Sequence, residues 1–202
     1  MKKVFFLIPT LAIGGGVIVV SELSLNLPES LDKVIVLFKK EISYPYKGRI
    51  ISLDVDFSSK NILLKLYRYF LGLLKFKKII KAEKPDYVMS FGHPANVINI
   101  LSGARAIVRI DGLSYSPYDR LDGKIYKFFI KRFFNKAQSV VDVSKASAKD
   151  LIENFNIKPD KIRVIYNPLN VSEIEMLSKE LIEPQHQSIF DNPVIINVGR
   201  MS

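Results

Sequence analysis

The chain has 202 residues, 48% of them hydrophobic and 25% charged, which suits one globular domain with a sizeable core, or one domain and part of another. The absence of cysteine excludes disulfides, thiolate metal sites and cysteine nucleophiles and fits a reducing compartment, and with only two histidines a histidine-rich metal site is not expected. The net charge of +10 indicates an anionic partner, such as nucleic acid, a membrane surface or a phosphorylated ligand, or only a lysine-rich soluble surface.

The first turn of the chain joins a buried strand to a helix through three consecutive glycines. Residues 4–8 form a short apolar run typical of a strand buried on both faces, and residues 17–27 are predicted to form a helix against the sheet. Between them, Gly14, Gly15 and Gly16 carry no Cβ to shield their N–H groups at the N-terminus of the helix. This arrangement suits an anion such as a phosphate, and a tight turn that needs close packing explains it equally well.

The same segment also resembles a secretory signal peptide, because Lys2 and Lys3 precede an apolar stretch. No small-x-small cleavage site follows, and Pro9 and the glycines interrupt the stretch as a helix. We therefore expect no cleaved signal. No other stretch of the sequence is long and apolar enough to cross a bilayer.

Strands and helices alternate along the following residues. Strands are predicted at residues 32–38, 49–55, 86–91, 105–110, 139–143 and 161–166, and helices at residues 61–84, 95–101, 121–135 and 144–154. The alternation predicts an α/β fold, a Rossmann-like parallel sheet with helices on both faces. Ligands of such sheets lie beyond the carboxyl ends of the strands. Five segments are expected at that edge: residues 14–16, 91–96, 109–112, 143–145 and 167–168.

The last residues depart from this alternation. Residues 183–193 are polar and linker-like, and residues 193–200 have the pattern of a new strand that ends in a glycine turn. We therefore assign residues 1–182 to one domain, residues 183–193 to a linker and residues 194–202 to the first strand of a truncated second domain.

Four stretches share the order and residue types of one enzyme family. They are residues 8–16, residues 88–96, residues 143–168, where a strand ends at Asn167-Pro168, and residues 195–202 with Gly199-Arg200. Together they resemble the amino-terminal domain of glycosyltransferase family 4, whose enzymes have the two-domain GT-B fold. The third stretch is the most specific, because its helix start, turn and strand keep their mutual spacing. The chain would then be one half of a GT-B fold.

The resemblance implies transfer of a sugar from a nucleotide-sugar to a sugar or lipid-linked acceptor, with retained anomeric configuration and with neither a metal nor another cofactor. The negative charge of the departing diphosphate must then be neutralised by N–H groups and cations. The resemblance assigns this role to Gly15, Gly16 and Arg200. The donor-gripping residues of the second domain lie beyond the last residue, so the chain alone is expected to be inactive. The acceptor is expected near Gly15, Gly16, His93, Asn96, Arg109 and Ser144.

The chain departs from the family's pattern at two places. Family members often have a histidine after the fifth strand, close to the reacting sugar, whereas this chain has Asp111 there. The carboxylate of Asp111 suits a general base that takes the acceptor's proton, or Asp111 only starts the loop. Val17 and Ile18 stand where many members have a charged pair near the acceptor.

Several candidate site residues also have a purely structural explanation. His93 and Asn96 either contact the acceptor or only pack and cap the short helix that follows. Arg109 is the better candidate, because a cation at this edge suits a phosphate. The hydroxyl of Ser144 is expected to cap its helix, and the loop of Ser144 is still expected near the cleft.

The predicted helices at residues 61–84 and 121–135 combine lysine and arginine with aromatic residues. Such helices either lie on an anionic membrane or are surface helices with an apolar stripe and a solvated back. Lipid-linked acceptors would require a membrane-facing surface, so we expect a cytoplasmic protein on the membrane's inner face. The alternative is a basic, non-catalytic module that binds an anionic membrane surface or nucleic acid; for the enzyme, nucleic acid is not an expected partner.

Overall fold

The computed structural model describes residues 1–57, 59, 61–111 and 121–197. The chain divides into two compact units, Met1–Asn167 and Pro168–Ser202. The first unit contains the sheet and the candidate site, and each unit is described by itself.

The first unit is built on a parallel sheet. Its strands are β1 (Lys2–Ile8), β2 (Leu31–Leu37), β3 (Arg49–Ser52), β4 (Tyr87–Phe91), β5 (Ala106–Ile110), β6 (Ser139–Asp142) and β7 (Ile162–Val164). Within the described residues these seven strands lie in the order β3-β2-β1-β4-β5-β6-β7, and every neighbouring pair is parallel. The predicted α/β class and the parallel sheet are confirmed.

Helices connect these strands and cover both faces of the sheet. They are α1 (Gly15–Asn26), α2 (Ile62–Glu83), α3 (His93–Ser102), α4 (Leu121–Phe133) and α5 (Lys145–Phe155). Side chains alternate along β1, so that Phe5 packs in one cluster with Phe76 of α2, and Phe6 packs in another with Val20 of α1. All four side chains are buried, which explains why β1 reads as a continuous apolar run.

Local residues explain where the long helix begins and ends. The side-chain oxygen of Asn61 accepts hydrogen bonds from the N–H groups of Leu63 and Leu64 at 2.9 and 3.2 Å, which caps the N-terminus of α2. The helix ends at Lys84, which has a left-handed φ of 49° and precedes Pro85. The predicted helix at residues 61–84 is therefore confirmed to within its caps.

One strand is shorter than predicted. The expected strand at residues 49–55 ends at Ser52, because Asp54 adopts a left-handed φ of 49° that interrupts an extended backbone. The next residues still follow the sheet, since the N–H groups of Leu53 and Val55 donate to the carbonyls of Leu37 and Phe38 at 2.8 and 2.9 Å.

The second unit contains short helices, α6 (Val171–Leu177) and α7 (Pro184–Gln187), and a 3-10 turn at Ser188–Asp191. These fall in residues predicted to be the end of the first domain and a linker. Residues 194–197 form no strand, since no described strand pairs with them, and residues 198–202 lie outside the described residues. The predicted division at residues 182 and 193 stays a prediction. Of the helices that the structure describes, none has both the length and the apolar character needed to span a membrane.

Candidate functional site

The candidate site lies where the order of the sheet reverses. β1 has β2 on one side and β4 on the other, so connections leave it in opposite directions and open a crevice beyond the carboxyl ends of these strands. A cavity of about 170 Å³ occupies this position, and we call it the edge cavity. Its lining comes from the turn after β1, the end of β4 and the residue after β5, and includes Thr10, Gly14, Gly16, Phe91, Gly92 and Asp111.

The three glycines of the turn have different surroundings. Gly14 precedes α1 with φ 127° and ψ 158°, a backbone region that is essentially restricted to glycine. A Cβ on Gly16 would lie 3.4 Å from Oδ2 of Asp111 and 3.8 Å from Cβ of Phe91, so this residue is the point of close approach. Around Gly15 there is open space within 4 Å. Close packing therefore explains part of the motif, and the N–H groups of the first turn of α1 remain candidates for an anion.

Arg109 and Asp111 form an ion pair at the end of β5. The Arg109 side chain is only 2% exposed, whereas that of Asp111 is 42% exposed and lines the edge cavity. The guanidinium lies 5.5 Å above the ring centre of Phe91, and its Nη2 donates a 2.5 Å hydrogen bond to Oδ1 of Asn167. Arg109 is thus a buried cation beneath the site rather than an exposed arm.

The surroundings shift the pKa of both members of this pair. Burial raises the pKa of Asp111 above its ordinary value; the charge of Arg109 opposes the rise, and the nearby Asp142 adds to it. Burial lowers the pKa of the Arg109 guanidinium, while the carboxylates of Asp111 and Asp142 oppose this change. Arginine remains a cation throughout the physiological range, so the pair combines a fixed positive charge with a carboxylate of increased proton affinity.

The Nη1 nitrogen of Arg109 faces the glycine turn. It is ion-paired with Oδ1 of Asp111, yet it makes no hydrogen bond of sound geometry to any residue that the structure describes. The position that a Cβ of Gly16 would occupy is 3.9 Å away. The charge of Arg109 therefore lies close to the first turn of α1, where an anion would bind.

Asn96 lies in a buried polar network behind the site. Its Oδ1 accepts from Oγ of Ser90 at 2.7 Å, and its Nδ2 donates to the backbone carbonyl of Arg109 at 2.9 Å. The side chain of Asn99 also donates to Oγ of Ser90, at 3.0 Å. Asn96 is 1% exposed, so in this geometry it has no surface to offer an acceptor, and it holds the end of β5 instead.

His93 and Ser144 begin two helices at the same edge of the sheet, outside the lining of the edge cavity. His93 is exposed at the start of α3, and its ring stacks on Tyr126 with centroids 3.9 Å apart and planes at 19°. The Oγ of Ser144 accepts from the N–H of Ser147 at 3.1 Å, which confirms the predicted helix cap. The positions of His93 and Ser144 do not decide the predicted contacts with the acceptor, which stay predictions.

Several residues of the site have no signal in the sequence. Gly14, rather than Gly15, carries the constrained backbone, and Phe91 and Asn167 become neighbours of Arg109 only through the fold. A positive φ has no reliable signature within a run of glycines, and a contact across 58 residues leaves no local pattern. Of the predicted residues, Gly16, Arg109 and Asp111 converge.

Two predicted elements of the site lie outside the described residues, namely Arg200 and the loop after Asp111. Within the described part of the chain, no group of three or more histidine, aspartate or glutamate side chains is arranged to hold a metal ion.

Sequence comparison identifies a family and a relative. The profile of a family described as Glycosyltransferase Family 4 matches residues 13–173. The chain is also 25% identical over 209 residues to the N-acetylgalactosamine-N,N'-diacetylbacillosaminyl-diphospho-undecaprenol 4-alpha-N-acetylgalactosaminyltransferase of Campylobacter jejuni. That alignment covers 100% of this chain and 56% of the relative, so the chain spans little more than half of the relative's length.

Solved structures share the fold. A glycosyltransferase from Rickettsia africae has a TM-score of 0.55 at 19% identity, over 96% of this chain and 50% of its own. A UDP-N-acetylglucosamine 2-epimerase from Rickettsia bellii has a TM-score of 0.62 at 12% identity, over 94% of this chain and 51% of its own. Because an epimerase and a transferase both match, the likeness in structure shows the Rossmann-like, GT-B type of fold and not the reaction. The family profile distinguishes between these two classes of enzyme. It spans most of the chain, including the glycine turn, Arg109 and Asp111, and the chain belongs to Glycosyltransferase Family 4.

Proposed function

We propose that this chain is the acceptor-side domain of an enzyme that transfers a hexose-type sugar from a nucleotide-sugar to an acceptor. The proposed reaction retains the anomeric configuration and uses neither a metal nor another cofactor, as the family resemblance implies. Membership of Glycosyltransferase Family 4 supports the reaction class. The observation that carries the proposal is the convergence of Gly16, Asp111 and the buried guanidinium of Arg109 beside one cavity at the switch point of the sheet.

Charge explains why this convergence suits sugar transfer. A departing nucleoside diphosphate develops negative charge that the site must stabilise. The N–H groups of Gly15 and Gly16 lie in the first turn of α1, and the Arg109 cation lies beneath that turn. We assign stabilisation of the diphosphate to these groups, with Arg200 as a second cation from the donor side.

Asp111 is the proposed general base. Its carboxylate lines the edge cavity, is oriented by its ion pair with Arg109 and has a raised pKa. A base with increased proton affinity takes a proton from an acceptor hydroxyl more readily than an ordinary carboxylate does. His93, exposed at the same edge, is the proposed acceptor contact, while Asn96 and Ser144 support the loops around it.

We further propose a lipid-linked sugar as acceptor and a cytoplasmic location on the inner face of the membrane. The name of the Campylobacter relative specifies a diphospho-undecaprenol substrate. The surface of α2 supports membrane association, because one exposed stripe begins with Leu63, Tyr67 and Phe70 and continues with Lys77 and Lys81. Apolar side chains beside cations are the pattern that anionic bilayers attract.

The experiment that tests the function is an assay of transfer by this domain joined to a complete second domain. We expect that protein to bind a nucleoside diphosphate and to use one donor from a panel of nucleotide-sugars, while residues 1–202 alone show no turnover. The alternative, a basic non-catalytic module, predicts salt-sensitive binding to anionic vesicles or nucleic acid and no use of any donor. Failure of every donor with lipid-linked acceptors would count against the proposed function.

A further inference from the structure

A second aspartate lies buried at the carboxyl edge of the sheet. Asp142 is the last residue of β6, and its side chain is fully buried. Its Oδ1 accepts a hydrogen bond from the N–H of Ser144 at 3.0 Å, and its Oδ2 accepts one from Oγ of Ser147 at 2.7 Å. The carboxylate is therefore held in a defined position at the start of α5.

The fold places Asp142 beside the ion pair of Arg109 and Asp111. β6 lies between β5 and β7, and Asp142 is opposite Ile110, the residue that joins the two members of the pair. The Arg109 guanidinium donates to Asn167, which follows β7, so it passes the carboxyl end of β6 to reach this acceptor. Neighbouring strands are about 4.8 Å apart, so the charges of both carboxylates act on one guanidinium.

Few other charges face Asp111 from the elements that surround it. The turn after β1, the first turn of α1 and the end of β4 contain no charged residue. Exposed His93 and Lys145 begin α3 and α5 outside the lining of the edge cavity. Among the described residues, the charges that act on Asp111 are therefore those of Arg109 and Asp142.

These two charges act on Asp111 in opposite directions. Pairing with a cation alone lowers the pKa of a carboxyl group. The pKa of Asp111 is instead raised, first by burial; the charge of Arg109 lowers it, and the charge of Asp142 raises it. Asp142 thus offsets part of the effect of the guanidinium.

We propose that Asp142 is a positioning residue that competes with Asp111 for the charge of Arg109, so that Asp111 can take up a proton instead of serving as a permanent counter-ion. This inference rests on the proposed function, because it specifies what gives the proposed base its proton affinity. Asp142 touches no substrate in this role. Its side chain is directed to the start of α5, and it acts through its charge.

The test is an NMR titration of the Asp111 carboxyl carbon in the 202-residue chain, with Asp111→Asn to identify the signal. Asp142→Asn removes the charge, while its amide oxygen can still accept from the N–H of Ser144. We expect the pKa of Asp111 to fall in this variant, because a negative neighbour is lost and the attraction of Arg109 remains. An unchanged or raised pKa would overturn the inference.

Two controls separate the charge of Asp142 from its structural role and from net charge. Ser147→Ala removes the hydrogen bond to Oδ2 of Asp142 but keeps the carboxylate, so it should lower Tm and leave the pKa of Asp111 unchanged. Asp86→Asn removes an aspartate that accepts from the N–H of Lys3 at 2.7 Å, at the amino end of the sheet, and should also leave that pKa unchanged. If either control lowers the pKa of Asp111 as much as Asp142→Asn does, the inference is wrong.

A second neutral variant provides for a loss of folding. Asp142 is buried, so circular dichroism must first show that Asp142→Asn is folded. If it is not, Asp142→Ser replaces it, because the serine hydroxyl can also accept from the N–H of Ser144. The same fall in the pKa of Asp111 is expected, and its absence would equally overturn the inference.

The two-domain protein provides a readout on the reaction itself. There, Asp142→Asn should shift the acid limb of the pH profile of kcat to lower pH and leave KM for the donor unchanged. The NMR titration contains neither donor nor acceptor, so it is independent of catalysis. A lowered pKa without sugar transfer by the two-domain protein refutes only the proposed function, and transfer with an unchanged pKa refutes only the role of Asp142.

Discussion

The guanidinium of Arg109 donates a 2.5 Å hydrogen bond to the side chain of Asn167, the last residue of the first compact unit. The same guanidinium is ion-paired with Asp111, which lines the edge cavity. One buried cation therefore joins the candidate base to the point where the chain leaves the sheet domain.

The first prediction concerns Asn167. Asn167→Ala removes an acceptor from a charged donor, but Asn167 itself is exposed and water can take its place, so we expect a loss of about 1 kcal/mol in the free energy of unfolding. Urea denaturation of the 202-residue chain measures this loss. Asn154→Ala is the control, because its amide bonds to Asp150 on an exposed surface, and its effect should stay within about 0.5 kcal/mol. Equal stability of the two variants would contradict the bridging role of Asn167.

The second prediction separates the three glycines. Gly14→Ala should lower the free energy of unfolding by about 1–3 kcal/mol, because its φ of 127° is strained for any residue with a Cβ. Gly15→Ala has open space and should be neutral or slightly stabilising within α1. Gly16→Ala places a methyl group in ordinary contact with Asp111, so we expect little loss of stability but weaker binding of a nucleoside diphosphate by the two-domain protein. Denaturation and calorimetry of the three variants measure these effects, and similar behaviour of all three would contradict the assignment.

The third prediction concerns Asp111. In the two-domain protein, Asp111→Asn should lower kcat by about 100-fold or more, because the amide cannot accept the acceptor's proton. The raised pKa of the wild-type carboxyl should place the acid limb of the pH–rate profile above the ordinary aspartate value of 3.8. Asp54→Asn is the control, because Asp54 lies outside the site. Its left-handed backbone is tolerated by both aspartate and asparagine, so the same substitution should leave kcat unchanged. If kcat and the pH profile are unchanged in Asp111→Asn, Asp111 has only a loop-forming role.

The fourth prediction is a pH dependence of stability that arises from Glu83. Hydrogen bonds from Arg49 and then Lys3, at 2.7–2.9 Å, lower the pKa of Glu83 from 4.5 to about 2. Because the pKa is lower in the folded state, the stabilisation is complete above the ordinary value of 4.5 and is lost as the pH falls toward about 2. Glu83→Gln should therefore reduce the dependence of Tm on pH in this range. Glu153 is in an exposed ion pair with Lys149, so the control Glu153→Gln should leave the pH dependence of Tm unchanged. Equal pH profiles for Glu83→Gln and wild type would contradict this account.

The fifth prediction concerns the membrane. Replacing Lys77, Lys78 and Lys81 of α2 by glutamine should weaken sedimentation with vesicles that contain anionic lipid, by about fivefold per lysine at low salt. The control replaces Lys145 and Lys149 of α5, which are exposed and lie outside the α2 stripe. No sedimentation of the wild-type chain at low salt would contradict the membrane proposal. Equal weakening per lysine in the control would show that only the net charge of the chain matters.

Most of the fold followed from local patterns. Continuous apolar runs such as residues 4–8 and 34–38 are buried strands, and Asn61, Ser144 and Pro85 mark helix ends as their chemistry predicts. The observed boundary of a strand differs from the predicted one where the backbone of a single residue ends the strand, as the left-handed φ of Asp54 does after β3. The predicted strand near the end of the chain is not formed at residues 194–197, because a strand needs a neighbouring strand that the described residues do not provide.

The candidate site was predicted in part. The carboxyl ends of parallel strands meet at one edge, so the sequence alone placed Gly16, Arg109 and Asp111 near one another. It did not indicate that Arg109 is buried, since an arginine at a strand end is more often exposed. It also had no signal for Asn167 as the partner of Arg109 or for the stacking of His93 on Tyr126.

The amino-acid sequence by itself determined the alternation of strands and helices, the parallel sheet and the family, because periodicity, caps and motif spacing act over a few neighbouring residues. Only the tertiary structure decided which side chains at the shared edge face the edge cavity and which face the interior. That choice depends on how strands and helices far apart in the chain pack together, and Arg109 shows it: Phe91, Asp111 and Asn167 surround one guanidinium from three separate elements of the chain.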